Sequence, residues 1–533
     1  MGRAMFDVLL SGGWVVDGSG APPWRADIAI QANRIAAVGP LGPAAGRTVL
    51  DASGKYVFPG FVDTHIHADL LFKERDVQLA ALRQGVTTFI VGQDGLSCAP
   101  AGAKTAAYVK EYFGAVNGIS ESGSLPLQPS IAEALSYVNE ASAVNLAWLV
   151  PAGTVRHQVM GLDDRRPNPD ELSAMQSIVA AGMADGAVGL STGLDYLPGR
   201  YADTAEIAAL CVPVAEAGGV YVSHMRGYDV TAWQGVAEVC AIAERAKIAV
   251  HVSHYFGPGI MLTRLINDAR NKGIDITFDS YPYLRGATIL AMAALPPDIQ
   301  AGGAAATLGR LKDRRVRENL NTHWFPSITS RLEGISLSFV ADSSLWWAEG
   351  MSLDAAAARA GRDVGEFVCD LLVASDLAVG CVRGERPTNG EDDVRALLRH
   401  EVHMGGSDGI FTGSMPHPRA WGTFARFLGR HVRDLGDWTW AEAGVHLAGH
   451  PARRFGLRDR GLIRSGYVAD LAVVDPRTVA DLATYQDPRR AAAGVCDVLV
   501  GGRFVLRDGE LTAATPGHGL RRDGFGARPA PAE

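Results

Sequence analysis

Residues 56–70 read YVFPGFVDTHIHADL, and this stretch decides how the rest of the chain is interpreted. The apolar run 56–62 predicts a buried strand, and His65 and His67 follow its end two positions apart. Residues two apart on an extended chain point to the same face, so the two imidazoles are expected to project together. Neutral imidazole suits zinc. The pair indicates either a metal site or two ordinary histidines near a strand end. The residues that follow the later strands distinguish these two interpretations.

Length and composition restrict the possible classes of protein. The 533 residues are too many for one compact core, and the formal net charge of -8, without a basic stripe, argues against nucleic acid as a partner. The N-terminus lacks the apolar segment of a signal peptide, and no apolar run approaches the roughly 20 residues that span a bilayer. Six scattered cysteines do not resemble a disulfide framework. We therefore expect a cytoplasmic protein that acts on a small molecule, with no membrane association and with its oligomeric state open.

Both ends of the chain have the texture of β structure. Short apolar segments alternate with turn-rich stretches such as SGG and DGSGAPP before residue 55, and Gly501-Gly502 is typical of a hairpin turn near the other end. Residues 1–55 are too short for a comfortable core of their own. Residues 1–55 and 459–533 are therefore predicted to form one small β-sandwich domain that is assembled from both termini.

The middle of the chain alternates short apolar runs with longer stretches of helical period. Repeated strand–helix alternation is the signature of an α/β fold, a parallel (β/α)8 TIM-like barrel. We predict this barrel over residues 56–458. The eight candidate strands are 56–62, 86–92, 145–151, 186–192, 220–224, 249–254, 274–283 and 402–407.

Chemistry in such barrels lies at the C-terminal ends of the strands, and polar residues occur there in five of the eight runs. These residues are His65 and His67, Asp94, His224 with Arg226, His254, and Asp408. Any one of them could be a capping group or a core polar group with its own partner. Five strand ends that meet at one mouth instead predict a metal-dependent active site.

The longer motifs resemble the amidohydrolase superfamily, and within it the D-aminoacylase family of N-acyl-D-amino-acid deacylases. The motifs that carry this resemblance are VFPGFVDTHIHADL, GLSTGLDYLPGRYADTAEI, VSHMRG, DSYPYLRGATIL, GGSDGIFTGSMPHPRAWGTFARFLG and GLRDRGLIRSGYVADLAVVDP. The resemblance implies a barrel with a small β domain built from both termini. It also implies an insertion after strand seven that covers the mouth, for which residues 291–347 are the candidate.

The sequence departs from that family at the end of strand two. The family commonly has a metal-ligating cysteine there, whereas this chain has Asp94. Strand four offers no lysine of the kind that bridges two metals in many amidohydrolases. Either Asp94 is the shared ligand, or only one ion binds tightly, or Asp94 merely caps the following turn. The number and identity of the metals, one or two zinc ions or other divalent ions, stay open.

The expected reaction is hydrolysis of a linear amide in an N-acyl-D-amino acid, giving a carboxylate and a free D-amino acid. One site would use Asp94, His224 and His254, and a second would use His65 and His67 together with Asp94. Asp408 is positioned to take a proton from water and to pass it to the leaving amine.

Five residues are candidates for substrate binding. Tyr283 and Thr288 match family positions near the substrate carboxylate. Arg285 replaces a small residue and is either a cation facing an acidic substrate or a surface charge. Tyr196 and Arg226 could also line the mouth.

Three other functions stay open. The first is hydrolysis of cyclic amides, as in hydantoinases and dihydroorotases, although the missing strand-four lysine disfavours it. The second is a recruited amidohydrolase of secondary metabolism. The third is a metal-free relative that binds a small molecule, which the retained histidines and Asp408 disfavour.

Overall fold

Eight parallel strands form a nearly closed barrel in the computed structural model, which describes residues 5–42, 45–118, 129–139 and 141–522. In chain order the barrel strands are Phe61–Asp63, Val86–Val91, Asn145–Pro151, Gly189–Gly193, Val220–His224, Ala249–Val252, Ile276–Ser280 and His403–Gly405. Each strand pairs with its sequence neighbour in this order. The amide of Thr64 donates to the carbonyl oxygen of Gly405 at 3.3 Å, which links the first strand to the eighth. The predicted barrel is therefore confirmed.

The barrel helices follow their strands along the chain. They are Arg75–Leu82, Ala103–Asn117, Ile131–Val138, Ala152–Met160, Pro169–Ala184, Thr204–Glu216, Ala232–Ala246, Gly259–Asn271, Glu391–Leu398, Arg419–Arg426, Trp440–Gly444 and His450–Arg454. Short 3-10 segments (Gly199–Tyr201, Asp229–Thr231) and π segments (Phe427–Asp434, Val445–Gly449) extend them. Strands such as Val86–Val91 are buried along their whole length, as expected for a sheet covered on both faces. No helix among the described residues combines the length and the apolarity that crossing a membrane requires.

A second, nine-stranded sheet combines segments from both ends of the chain, which confirms a β-rich domain beside the barrel. Its strands are Phe6–Val15, Trp24–Gln31, Arg34–Gly39, Gly46–Asp51, Tyr56–Pro59, Leu471–Val474, Val495–Val500, Arg503–Arg507 and Glu510–Leu511. The short strand Gly519–Leu520 pairs instead with the third barrel strand. The predicted C-terminal segment runs to residue 533, and 523–533 lie outside the described residues; the domain limits stay a prediction.

The predicted strand 56–62 is in fact two strands. Tyr56–Pro59 pairs with Leu471–Val474 in the second sheet, whereas Phe61–Asp63 pairs with Val86–Val91 in the barrel. Gly60 lies at the junction, where a Cβ would stand 2.2 Å from Thr87 Oγ1. Only glycine fits this close approach, and the chain changes sheets there.

The chain between the seventh and eighth barrel strands builds a unit of its own, and 291–347 lie inside it. Its strands, Ala287–Ile289, Ser336–Val340 and Val379–Val382, form an antiparallel sheet. Its helices are Leu290–Ala294, Pro297–Gln300, Gly303–Lys312, Arg314–Asn319, Leu320–Trp324 (π), Phe325–Ser327, Thr329–Leu332, Ser343–Ala348 (3-10), Leu353–Ala360 and Val364–Ala374. The unit has a separate apolar core and supplies part of the wall of a cavity above the barrel.

Candidate metal centre

Four histidines and two aspartates meet at the C-terminal mouth of the barrel. They are His65, His67, Asp94, His224, His254 and Asp408. Each has at most 7% of its surface exposed. Buried polar groups of this kind cost free energy unless they are partnered, so their convergence calls for a ligand.

The carboxylate of Asp94 lies at the centre of this cluster. Its Oδ1 is 3.5 Å from His65 Nε2 and 3.6 Å from His254 Nε2. Its Oδ2 is 3.5 Å from His224 Nδ1 and 3.7 Å from His67 Nε2. Ligand atoms bound tetrahedrally at 2.0–2.2 Å from a zinc ion stand about 3.4 Å apart. The atoms are therefore spaced as ligands that share an ion rather than as hydrogen-bond partners.

Several of these ligand atoms have no hydrogen-bond partner among the described residues. The buried atoms that lack a hydrogen-bond partner include both ring nitrogens of His65, Oδ1 of Asp94 and Nδ1 of His224. Two groups bring their potential ligand atoms within 4.8 Å of one another: His65 with Asp94 and His254, and His65 with His67 and Asp408. The residues present fit a centre for one or two divalent ions, because an ion would partner the buried atoms that lack a contact.

The electrostatics of the cluster put Asp94, Asp408 and His65 in the protonation states that metal ligands need. Burial alone would raise the pKa of Asp94, but the neighbouring His224 and His65 hold it well below the usual range. Burial also opposes ionisation of Asp408, but the charge of Arg419 and the neighbouring histidines together outweigh it and lower the pKa. Burial lowers the pKa of His65 well below its usual value. Anionic carboxylates and a neutral imidazole are the ligand forms.

Burial opposes protonation of His67 and His224, but the carboxylates beside them outweigh it and raise the pKa of both, that of His224 to about 10. These two imidazoles would therefore release a proton on binding an ion.

Two polar side chains orient the histidines. Nδ1 of His67 lies 2.9 Å from Oδ1 of Asn117, and Nε2 of His224 lies 3.3 Å from Oδ2 of Asp195. A partner on one ring nitrogen fixes the tautomer and leaves the other nitrogen for an ion. Sequence reasoning missed Asn117, the last residue of helix Ala103–Asn117, because nothing in its local sequence marks it.

Two further residues, Asp279 and Arg419, contact members of the cluster although they were not predicted for the site. Asp279 accepts a hydrogen bond from the His254 amide at 2.8 Å, and its other oxygen lies 2.8 Å from His251 Nε2. Burial raises the pKa of Asp279 to about 7. Nη2 of Arg419 lies 2.8 Å from Asp408 Oδ2, and the Arg419 side chain is fully buried. The position of Asp408 is thus fixed by an internal ion pair.

Three members of the cluster adopt left-handed backbone conformations. The φ angles are 55° for Asp94, 35° for His254 and 48° for Asp408. Such a conformation costs about 1–3 kcal/mol in a residue other than glycine. Strain concentrated at three strand ends is characteristic of a functional site, because the surrounding structure has to hold it.

A cavity of about 430 Å³ opens above the cluster. Four predicted substrate-binding residues line it: Tyr196, Tyr283, Arg285 and Thr288. The hydroxyls of Tyr196 and Thr288 are 2.9 Å apart, and the Tyr283 hydroxyl donates to Asp481 Oδ2 at 3.3 Å. The Tyr283 hydroxyl is thus engaged by Asp481, which is outside the described lining of the cavity.

The fifth, Arg226, is placed elsewhere. Its Nε donates to Glu238 Oε2 at 3.0 Å, and its Nη1 donates to the carbonyl oxygen of Arg200 at 2.8 Å. Its Nη2 donates to the carbonyl oxygen of Ala202. All three nitrogens of the guanidinium are therefore engaged in holding the segment around 200–202, and Arg226 is absent from the described lining of the cavity. The sequence could not distinguish this bracing role from a substrate contact.

A parallel barrel with this histidine and aspartate cluster at its C-terminal mouth defines a metal-dependent hydrolase. The chain belongs to the Amidohydrolase family, whose model matches residues 48–298 and 350–506. The unmatched residues between these ranges lie in the unit inserted before the eighth barrel strand.

Named relatives match almost the whole chain. A D-aminoacylase from Alcaligenes xylosoxydans xylosoxydans is 34% identical over 97% of this chain and 98% of its own length. An N-acyl-D-glutamate deacylase from the same organism is also 34% identical, over 97% of both chains. The crystal structure of N-acyl-D-glutamate deacylase from Bordetella bronchiseptica, complexed with zinc and a phosphonate inhibitor that mimics the tetrahedral intermediate, has a TM-score of 0.81. It is 33% identical to this chain and covers 97% of this chain and 100% of its own.

Proposed function

We propose that this protein is a zinc-dependent deacylase that hydrolyses the amide bond of N-acyl-D-amino acids. The observation that carries the proposal is the Asp94-centred cluster with Asp408 beside it, in a chain that is similar over 97% of its length to a D-aminoacylase and an N-acyl-D-glutamate deacylase. Zinc, when bound, lowers the pKa of water and polarises the carbonyl group of the scissile amide.

The residues of this chain divide the remaining work. Asp94 and the four histidines hold the ion or ions. Asp408 Oδ1 lies 3.4 Å from His67 Nε2, so this carboxylate borders the place where water would be activated. It takes the proton from the attacking water and gives it to the amine nitrogen as the C–N bond breaks. Arg419 holds the opposite oxygen of Asp408 and keeps the carboxylate ionised between turnovers.

The cavity wall orients the substrate. An N-acyl amino acid carries an α-carboxylate, which requires hydrogen-bond donors or cations in the wall. Tyr196 and Thr288 line the cavity and provide hydroxyl groups, Arg285 provides a cation, and Tyr283 completes the wall with its ring. We further propose that the protein works in the cytoplasm, which is supported by its six free cysteines.

A substrate panel tests this function. The purified protein would be stripped of metal, reloaded with zinc, and assayed on N-acetyl-D- and N-acetyl-L-amino acids and on hydantoin and dihydropyrimidine ring amides. We expect hydrolysis of the D-forms by the zinc-loaded protein and loss of this activity on chelation. Turnover of ring amides alone would instead favour a cyclic amide hydrolase. Failure to take up zinc, with no turnover of any amide, would favour a binding protein.

A further inference from the structure

Positive charge is concentrated in the wall of the cavity, away from the cluster. Its five lining arginines are Arg200, Arg285, Arg331, Arg383 and Arg386. The acids that line the same cavity are Asp94, Asp195 and Asp408, and each belongs to the cluster or contacts one of its histidines. The whole chain carries a formal net charge of -8, so these arginines do not reflect a generally basic protein. Such segregation of charge attracts anions to the cavity.

Three of these arginines lie on neighbouring backbone segments of the inserted unit. The amide of Arg383 donates to the carbonyl oxygen of Gly286 at 2.7 Å, which brings Arg383 beside Arg285. The helix Thr329–Leu332, which carries Arg331, is followed by a turn that packs on Gly384. A Cβ built on Gly384 would lie only 3.0 Å from the Glu333 carbonyl oxygen. Arg285, Arg331 and Arg383 therefore border one part of the wall.

The arginines differ in how their charges are balanced. Arg386 pairs with Asp229 at 3.2 Å, and Arg285 lies 3.5 Å from Glu385 and 4.5 Å from the Tyr485 ring centre. The side chains of Arg331 and Arg383 contact no acid and no hydrogen-bond acceptor in the described part of the chain. Arg331 is exposed and Arg383 is half-buried, so both guanidinium groups are accessible to an anion that enters the cavity.

We propose that Arg331 and Arg383 bind a second carboxylate of the substrate, in addition to its α-carboxylate. A guanidinium group matches a carboxylate in charge and geometry and can bind it through two parallel hydrogen bonds. The preferred substrates are therefore N-acyl-D-amino acids with an extra carboxylate, on the amino-acid side chain or on the acyl group. The inference rests on the proposed deacylase function and adds a substrate class to it.

Matched pairs of substrates test the second carboxylate and locate it. N-acetyl-D-glutamate would be compared with N-acetyl-D-glutamine. N-succinyl-D-alanine would be compared with the analogue in which only the succinyl carboxylate is a methyl ester, and each pair would be compared by kcat/KM at low salt. We expect the charged member of one pair to be preferred roughly ten- to hundredfold, as for a charge-assisted hydrogen bond, and the preferred pair identifies the source of the carboxylate. The preference should shrink as ionic strength rises.

The double variant Arg331→Gln and Arg383→Gln should reduce that preference to nearly one. The control is Arg315→Gln, which removes an exposed arginine from the same inserted unit but outside the cavity lining, and it should keep the wild-type ratio. Equal turnover of charged and neutral members by the wild type, or an unchanged ratio in the double variant, would overturn the second-carboxylate site and leave the deacylase function standing. No turnover of any N-acyl-D-amino acid would defeat both.

Discussion

Replacing Asn117 with leucine should weaken metal binding although Asn117 is not a ligand. Its Oδ1 lies 2.9 Å from Nδ1 of His67, and its Nδ2 donates to the Leu96 carbonyl oxygen at 2.8 Å. With the proton on Nδ1, the free Nε2 of His67 faces Asp94 at 3.7 Å and Asp408 at 3.4 Å. Leucine has a similar size but cannot accept a hydrogen bond from Nδ1, so the imidazole would lose the contact that fixes its tautomer.

The magnitude follows from what the substitution leaves unpaired. Loss of a group that orients a ligating histidine reduces metal affinity about 10- to 100-fold. The variant also buries His67 Nδ1 and the Leu96 carbonyl oxygen without partners, at about 1–3 kcal/mol of unfolding free energy for each. We therefore expect weaker zinc affinity together with a lower melting temperature.

The assay is a zinc titration of the metal-free protein against a competing chelator. The control variant is Asn117→Asp, which keeps an acceptor oxygen for His67, loses the donor to Leu96 and adds a buried negative charge. It should recover most of the zinc affinity but not all of the stability. Zinc affinity of Asn117→Leu within twofold of wild type, or equal affinity losses in both variants, would refute the tautomer argument.

Two further substitutions probe the ion pairs. Asp408→Asn should lower kcat at least 100-fold, because an amide cannot accept the proton of water. The zinc content, measured by elemental analysis, should stay near that of wild type. A near-normal kcat would remove Asp408 from the mechanism. Asp437 accepts from Arg395 at 3.0 Å and lies 2.9 Å from His431 Nδ1; these partners outweigh its burial and lower its pKa. A carboxyl group whose pKa is lower in the folded state stabilises the fold at pH values above its unfolded-state pKa. This stabilisation is lost as the pH falls through the folded-state pKa. Asp437→Asn should therefore lower the free energy of unfolding by roughly 3 kcal/mol at pH 7. The difference from wild type, measured by urea unfolding, should become smaller at acid pH; a difference that does not change with pH would contradict this.

The barrel could be predicted from the sequence because its signals are local. Each buried strand is a short apolar run, and each is followed by a helical stretch. The junction at Gly60 could not be predicted, because the run 56–62 looks continuous and only its distant partners separate it: Leu471–Val474 on one side and Val86–Val91 on the other. The inserted sheet was missed for the same reason, since Ala287 pairs with Val382 across almost a hundred residues.

The metal cluster could be predicted because its members stand out in their local sequence. A histidine or aspartate directly after an apolar run needs an explanation, and the barrel topology brings these ends together. Asn117 and Arg419 gave no such signal, because each lies within or at the end of a helix, where polar residues are common. Their roles depend on contacts that only the folded chain defines.

The position of Asp94 explains how the centre can form without a bridging lysine on the fourth strand. Each Asp94 oxygen faces a different pair of imidazoles, so one side chain reaches all four histidines. The fourth strand, Gly189–Gly193, contributes Ser191, whose hydroxyl donates to the Gly92 carbonyl oxygen at 2.5 Å and accepts from the Gly95 amide at 3.2 Å. Ser191 thus fixes both sides of the left-handed turn that presents Asp94. Oxygen is a harder ligand than thiolate, so this arrangement should favour harder divalent ions more than a cysteine at the same position would.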